Sequence, residues 1–309
     1  MGEEIPARSA VTTQETLLGQ EAERERPSRS SPRLDKSPLH GLWALTNRDL
    51  LKWYRNPIQL IISLVQPVVW LGLFGKALNF GAFLSSQPGI TSQELTQVSL
   101  RTFGTTSYYS FLSVGMLAFI ILFTSAFAGM SVVWDRRFGF MNKALSTPVG
   151  RGAIVTGKVL QSVIRSLIQA AIVLAIAIAL GMDTTYVTAL SVLGAFVVLF
   201  LMSFGLSSLF VMLALRSSDW QTQMAVINLL NLPLLFASNA MLPTTIMPAW
   251  LQTVVRFNPV SYANDATRQL LLGSSTVLAP LWVDFGVLAV FAAVLSVLGI
   301  VLSWRLLTK

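Results

Sequence analysis

The apolar positions of this chain neither alternate with polar ones nor recur at the spacing of a half-buried helix; they run on unbroken. Six such stretches occupy residues 58–78, 108–133, 159–180, 187–215, 224–242 and 283–302. A helix rises about 1.5 Å per residue, so about 20 residues cross a hydrocarbon core about 30 Å thick. Each stretch meets that length or comes close to it. Barrel strands would alternate apolar and polar residues, and these do not. The pattern therefore predicts an all-α integral membrane protein with six transmembrane helices.

The polar stretches differ from one another. Residues 1–40 carry cations and acids in near balance and no aromatic residue to seed a core, so they are expected to form a disordered cytoplasmic tail. No apolar stretch follows the first methionine, and no cleavable signal peptide is expected. The remainder, 41–309, reads as one transmembrane domain. Residues 41–56 have the pattern of an amphipathic helix, with Arg48, Lys52 and Arg55 on one side and Trp43, Thr46, Leu50, Trp53 and Tyr54 on the other. Such a helix is expected to lie in the headgroup region, aromatic side down.

Composition strengthens this reading. The chain is 53% hydrophobic and 12% charged with a mean hydropathy of +0.64, too few charges to cover a water-facing domain of 309 residues. With no cysteine and the single histidine His40, neither a thiolate site nor a multi-histidine metal site can form. The net charge of +8 is best read through its distribution among the loops, and no nucleic-acid partner is expected. Arg136, Arg137, Lys143, Arg151 and Lys158 crowd one connection, Arg216 another, and Arg305 and Lys309 the C-terminus. The opposite connections hold Lys76, Arg101, Arg256 and Arg268. The positive-inside rule then places both termini in the cytoplasm of a multi-pass protein of the cell membrane. Trp134, Trp220, Trp282 and Trp304 mark the ends of apolar stretches, as interfacial indoles do, whereas Trp70 lies inside the first and is expected to pack.

Two connections are more than loops. In 134–158, WDRRFGFMNKALSTPVGRGAIVTGK, the residues Phe138, Met141 and Leu145 share one helical face, and Pro148 stops the helix at Thr147. A short amphipathic helix of that kind can dock in a groove of a soluble partner. Gly152, Gly157 and Lys158 imitate a phosphate-binding loop, but Val159 replaces the hydroxyl residue and no strand precedes it. No nucleotide site is expected there. In 243–281, Pro248 opens one short helix, Asn258-Pro259 caps and starts a second, and Gly273 ends it. Two semi-apolar helices joined at Asn258-Pro259 suit a re-entrant hairpin in the outer leaflet.

The loop WDRRFGFMNKALSTPVGR, the block SNAMLPTTIMPAWLQTVVRFNPVSYANDATRQLLLG from Ser238 to Gly273, and the interfacial helix together resemble the ABC-2 family of transporter permeases, in particular its drug- and antibiotic-resistance exporters. That resemblance implies a subunit paired with a second copy and served by a separate cytoplasmic ATPase, which would hold the ATP and magnesium. This chain would carry no cofactor and no catalytic residue. By the same resemblance Asp135, Arg136, Phe138, Gly139, Leu145, Pro148 and Val149 form a cytoplasmic coupling helix. Asn258, Pro259 and Tyr262 belong to the outer gate. Many relatives have an acid where this chain has Arg137, so no pairing with the ATPase carries over at that position.

Polar residues inside the apolar stretches are candidates for a substrate path: Arg165, and Asn228 with Asn231 at helical spacing. They could equally join neighbouring helices or, for Arg165, reach toward the interface. Asp284, at the start of the last stretch, is expected at the interface. The function expected is export of a hydrophobic or amphipathic molecule such as a drug, lipid-like compound or glycoconjugate. The alternatives are an ion-coupled secondary transporter, disfavoured by the lack of acids in mid-membrane, and a membrane assembly factor without transport.

Overall fold

The computed structural model describes residues 38–77, 92–105, 107–140, 151–217, 219–274 and 277–307; every regular element among them is a helix. The predicted tail falls outside these residues, apart from its last three. In chain order the helices are α1 (Pro38–Tyr54), α2 (Pro57–Trp70, continued by a π-helical turn Leu71–Ala77), α3 (Ser92–Phe103), α4 (Tyr108–Arg137), α5 (Arg151–Ala179), α6 (Ala189–Ala214), α7 (Trp220–Phe236), α8 (Ala249–Val255), α9 (Pro259–Leu272) and α10 (Leu281–Leu307).

The helices begin where side chains satisfy their free amides. Asn56 caps α2 ahead of Pro57, Ser107 caps α4, and Asp219 caps α7. Thr188 and Ser191 form a capping box at α6. α9 starts at the predicted Asn258-Pro259 step and ends at Gly273, whose φ of 57° is the left-handed stop that glycine supplies.

Among the described residues, five helices are long and apolar enough to cross a membrane: 57–76, the helix ending at Arg137, 152–179, 189–214 and 281–302. The fifth apolar stretch behaves differently. It forms the 17-residue α7, broken internally by Pro233 and followed by an irregular turn. At about 25 Å that helix falls short of a full crossing. The third span begins at Arg151, ahead of the expected 159, because residues 151–158 continue the same helix. The Gly152–Lys158 stretch is therefore helical, and the resemblance to a phosphate loop is confined to the letters.

α4 is the axis of the molecule. From Tyr108 to Leu122 its residues are buried without interruption, packed by α5, α6, α7 and α9. The outer ring exposes a belt of branched aliphatics, including Ile58, Ile61, Ile62 and Val65 on α2 and Val290, Val294 and Val297 on α10. Such a surface suits lipid and would aggregate in water. Between helices, hydroxyls and amides act as the adhesive. Thr124 donates to Gln169 (2.6 Å), Gln169 donates to Ser63 (2.6 Å), Ser207 donates to Ser162 (2.9 Å), and Ser166 meets Ser203 (2.7 Å).

Close approach is sharpest at Gly115 of α4. A Cβ there would stand 1.9 Å from the carbonyl oxygen of Ala240 in the turn after α7. Backbone cannot swing aside as a flexible side chain can. Gly115→Ala should therefore destabilise the fold by about 3 kcal/mol. Gly72→Ala, with nothing within 4 Å of the new methyl, should be nearly neutral. Thermal unfolding in detergent compares the two directly.

Candidate functional site

The membrane-embedded elements converge on two polar constructions at opposite ends of α4, with an apolar cavity near one of them.

The first is a charged base. Lys158 on α5 is 8% exposed in its side chain and lies 2.5 Å from Asp49 of α1 and 2.5 Å from Asp135 near the end of α4. Arg48 donates through Nε to Asp49 (2.8 Å) and reaches Asp135 at 3.4 Å. Its guanidinium sits 3.5 Å from the Phe140 ring centre. Lys52 completes the group 3.9 Å from Asp49. Burial pushes the Asp49 carboxyl up, but the charge and hydrogen bond of Lys158 and those of Arg48 outweigh it and hold the group below its ordinary value.

α1, expected in the headgroup region, also packs against protein. The helix packs on α5, burying Thr46 and Trp53, and the Thr46 hydroxyl donates to the carbonyls of Leu42 (2.9 Å) and Gly157 (3.4 Å). Trp43 and Tyr54 remain exposed, at 56% and 79%. Arg48 of the basic stripe turns inward to protein carboxylates, while Lys52 stays largely exposed.

Asp135 and Lys158 stand at the two ends of the connection expected to dock a partner, so their ion pair closes its base. α4 itself continues through Arg137, where the sequence suggested a separate helix starting at 136. Phe138 then projects at 83% exposure, and Gly139 turns the chain at φ 68°. Arg136 donates to the carbonyls of Leu215 (2.8 Å) and Ser217 (3.3 Å), satisfying free acceptors at the end of α6. Leu145, Pro148 and Val149 lie outside the described residues. The four described members of the predicted set thus sit together at the end of α4, and α1, α5 and α6 are all tied to that end by charge or hydrogen bond.

The second construction holds the turn between α7 and α8. Arg268 of α9, expected on the second short helix of an outer connection, is 2% exposed. It donates to Asn239 (2.8 Å), Ala240 (3.0 Å) and twice to Phe111 (3.1 and 3.3 Å), and lies 3.5 Å from the Phe111 ring centre. Asp284, expected at the interface, is buried and accepts from Gln269 (2.9 Å), which also donates to Asp265 (3.2 Å). Asp265 in turn accepts the amides of Leu278 (2.7 Å) and Ala279 (3.1 Å).

Asn258 serves two helices at once. Its oxygen accepts from Val260 (3.0 Å), capping α9, while its amide donates to Leu234 (2.8 Å) and Ala237 (2.7 Å) at the end of α7. Tyr262 donates to the carbonyl of Arg256 (2.6 Å), closing the α8–α9 corner. Asn258→Asp keeps the cap oxygen and loses both donated bonds. It should cost about 2 kcal/mol, read as a lowered unfolding temperature, with Asn258→Gln recovering little because its amide sits one carbon too far out.

Near this latch an apolar cavity of about 290 Å³ lies between α2, α4 and α7, bordered by Trp70, Phe74, Tyr108, Leu112, Phe236 and Met241. The predicted path residues do not assemble around it. Asn231 is buried, with its side-chain amide unpaired among the described residues, and Asn228 is exposed on the same helix. Arg165 borders a different, polar cavity with Gln59, Trp134 and Gln161.

Apolar helices of spanning length, a lipid-type surface, a charged base at one end and a latched helical hairpin at the other define a multi-pass membrane permease. The profile of the ABC-2 type transporter family matches residues 40–272, and the chain belongs to that family. It is 31% identical to the ycf38 protein of Pyropia yezoensis, named as a transport permease, over 76% of this chain and 75% of that one. It is 28% identical to the daunorubicin resistance ABC transporter permease protein DrrB1 of Streptomyces coeruleorubidus over 87% of each. Nodulation protein J of Rhizobium leguminosarum bv. trifolii is 24% identical over 76% of this chain and 82% of its own length.

Sequence reading missed the Asp49–Lys158–Asp135 cluster and the burial of Arg268. The first had a signal: a lysine and an aspartate placed just inside the ends of neighbouring spans, where an unpaired charge is costly. The second had none, because nothing in the 259–272 pattern separates a buried arginine from a surface one.

Proposed function

We propose that this chain is the permease half of an ATP-driven exporter, powered by a separate cytoplasmic ATPase subunit and completed by a second copy of itself. The observation that carries this reading is the ion cluster closing the base of the 138–150 connection. A force applied to that connection meets Asp135 and Lys158 first. Through Asp49 and Arg48 it passes to α1, and through Arg136 to the end of α6. The segment is thus tied to three helices at its root, as a part that transmits a partner's motion must be. The outer latch of Asn258, Pro259, Tyr262 and Arg268 would form the exit gate at the far end of α4.

The apolar cavity supports a hydrophobic or amphipathic substrate, and the name of the daunorubicin-resistance relative agrees with an amphipathic drug. The second copy is supported by α7. Its outer side exposes Leu229 (72%), Leu232 (54%) and Phe236 (59%) beside the exposed amide of Asn228. An amide facing hydrocarbon lacks partners that another protein surface would supply. Both termini and the charged base would face the cytoplasm, where the cation-rich loops point.

Purification of the tagged chain from native membranes in mild detergent tests this. An ATPase subunit with a complete phosphate loop should co-purify, and the complex should hydrolyse ATP. A chain that leaves the membrane alone, with no ATPase activity, would favour an ion-coupled carrier or an assembly factor instead.

A further inference from the structure

Arg165 is a largely enclosed cation that forms no ion pair among the described residues. The ion pairs there gather at Asp49 and Asp135. Its Nε is buried without a hydrogen-bond partner, and the nearest ring is that of Trp53, 5.7 Å from the guanidinium carbon of Arg165. A guanidinium in this position needs an anion or several acceptors. Among its described residues the protein supplies neither.

It supplies a slot instead. Arg165 lines a cavity of about 70 Å³ with Gln59, Ser131, Trp134 and Gln161, between α2, α4 and α5. At about ten to fifteen Å³ for each water-sized group, that is room for about five to seven such groups, enough for the five heavy atoms of a phosphate. Gln59, Phe127 and Trp134 at its rim are exposed, so it opens sideways toward the bilayer. Depth agrees as well. Arg165 follows Lys158 by seven residues, about 10 Å along α5. Helical side chains lean toward the N-terminus, which brings the guanidinium back toward the charged base. Trp53 and Trp134 flank that level, where indoles prefer the interface.

We propose that this slot holds the phosphate headgroup of an anionic phospholipid from the leaflet on the cation-rich side. Arg165 supplies the charge, Gln59 and Gln161 the neutral donors, and Phe127 with Trp134 the apolar flank for an acyl chain. Basic pockets between spans on that side of a membrane are suited to anionic headgroups. The proposal needs only that the chain spans a bilayer and stands apart from the exporter reading, so each can fail alone.

The test is native mass spectrometry of the delipidated protein titrated with phosphatidylglycerol or phosphatidylcholine of matched chains. The wild type should prefer phosphatidylglycerol by about fivefold. Arg165→Gln should abolish that preference, and Ser131→Leu, which fills the slot and leaves the charge in place, should do the same. Arg55→Gln, which removes an exposed cation just past α1, should leave it unchanged. Inorganic phosphate and glycerol 3-phosphate in millimolar excess should not displace the lipid. A preference that survives both slot variants would overturn the site. Displacement by inorganic phosphate would overturn the lipid in favour of a soluble anion.

Discussion

Replacing Lys158 with methionine should unfold the charged base and silence transport while leaving the spans inserted. The substitution keeps the length of the side chain and removes the one cation that touches both carboxylates at 2.5 Å. Asp49 and Asp135 then face each other with only Arg48 between them. Removing one partner of a largely buried pair leaves an uncompensated charge, and the cost is about 3 kcal/mol. Asp49→Asn in the Lys158→Met background should return about half of it, because the amide no longer repels Asp135. Thermal unfolding of the four proteins of that cycle gives the coupling energy. The cluster also sets a pH signature. Because the folded carboxyl of Asp49 is held below its ordinary value of 3.8, its contribution is complete above that value. It is lost only as the pH falls through the lowered folded value. Stability from this group should therefore be flat across neutral pH, and loss of the pair near neutrality would point to another partner.

The second large effect is expected at Arg268. Its side chain fills a fully enclosed site and satisfies the carbonyls of Phe111, Asn239 and Ala240. Arg268→Ala leaves those acceptors without a partner and opens a cavity beside Phe111. About 4 kcal/mol of stability should be lost, in the range that marks a broken buried network. Arg268→Lys should recover less than half, since one ammonium cannot reach two sides of the pocket as the planar fork does. The damage should concentrate in the turn after α7, which Gly115 and Asn258 also hold. Hydrogen exchange should quicken at residues 237–247 well before it quickens in α4. Uniform acceleration across both segments would mean that Arg268 supports the core generally and is not a local latch.

What could be read from the sequence followed the physical strength of each signal. Long apolar runs gave α2, α4, α6 and α10 nearly to their ends, and α5 at its C-terminal end, because the bilayer thickness admits few lengths. Cap residues fixed α9 to the residue, since Asn-Pro at one end and glycine at the other act through local backbone geometry. α7 was overestimated. An apolar run says that a segment avoids water, and it does not distinguish a helix from a largely buried turn such as 237–241. Arg151–Lys158 was taken for loop because its polar residues look solvated one by one, whereas Lys158 is paid for by two distant aspartates. The site was legible in part. The end of α4 was marked as the place where a partner acts, and Asn258 as a cap. The ion pairs at the end of α4 join residues about 90 and 110 positions apart, and no local pattern carries them.

In an exporter half of this kind, ATP hydrolysed by a partner must act on transport by way of the charged base. The direct measurement is uptake of a fluorescent amphipathic cation into inside-out vesicles containing the chain and its co-purifying ATPase, with wild type and Lys158→Met at matched insertion. The wild type should accumulate the dye only when ATP is supplied, and the variant should hydrolyse ATP with little accumulation. Accumulation driven by an ion gradient without ATP, or unimpaired in the variant, would contradict it.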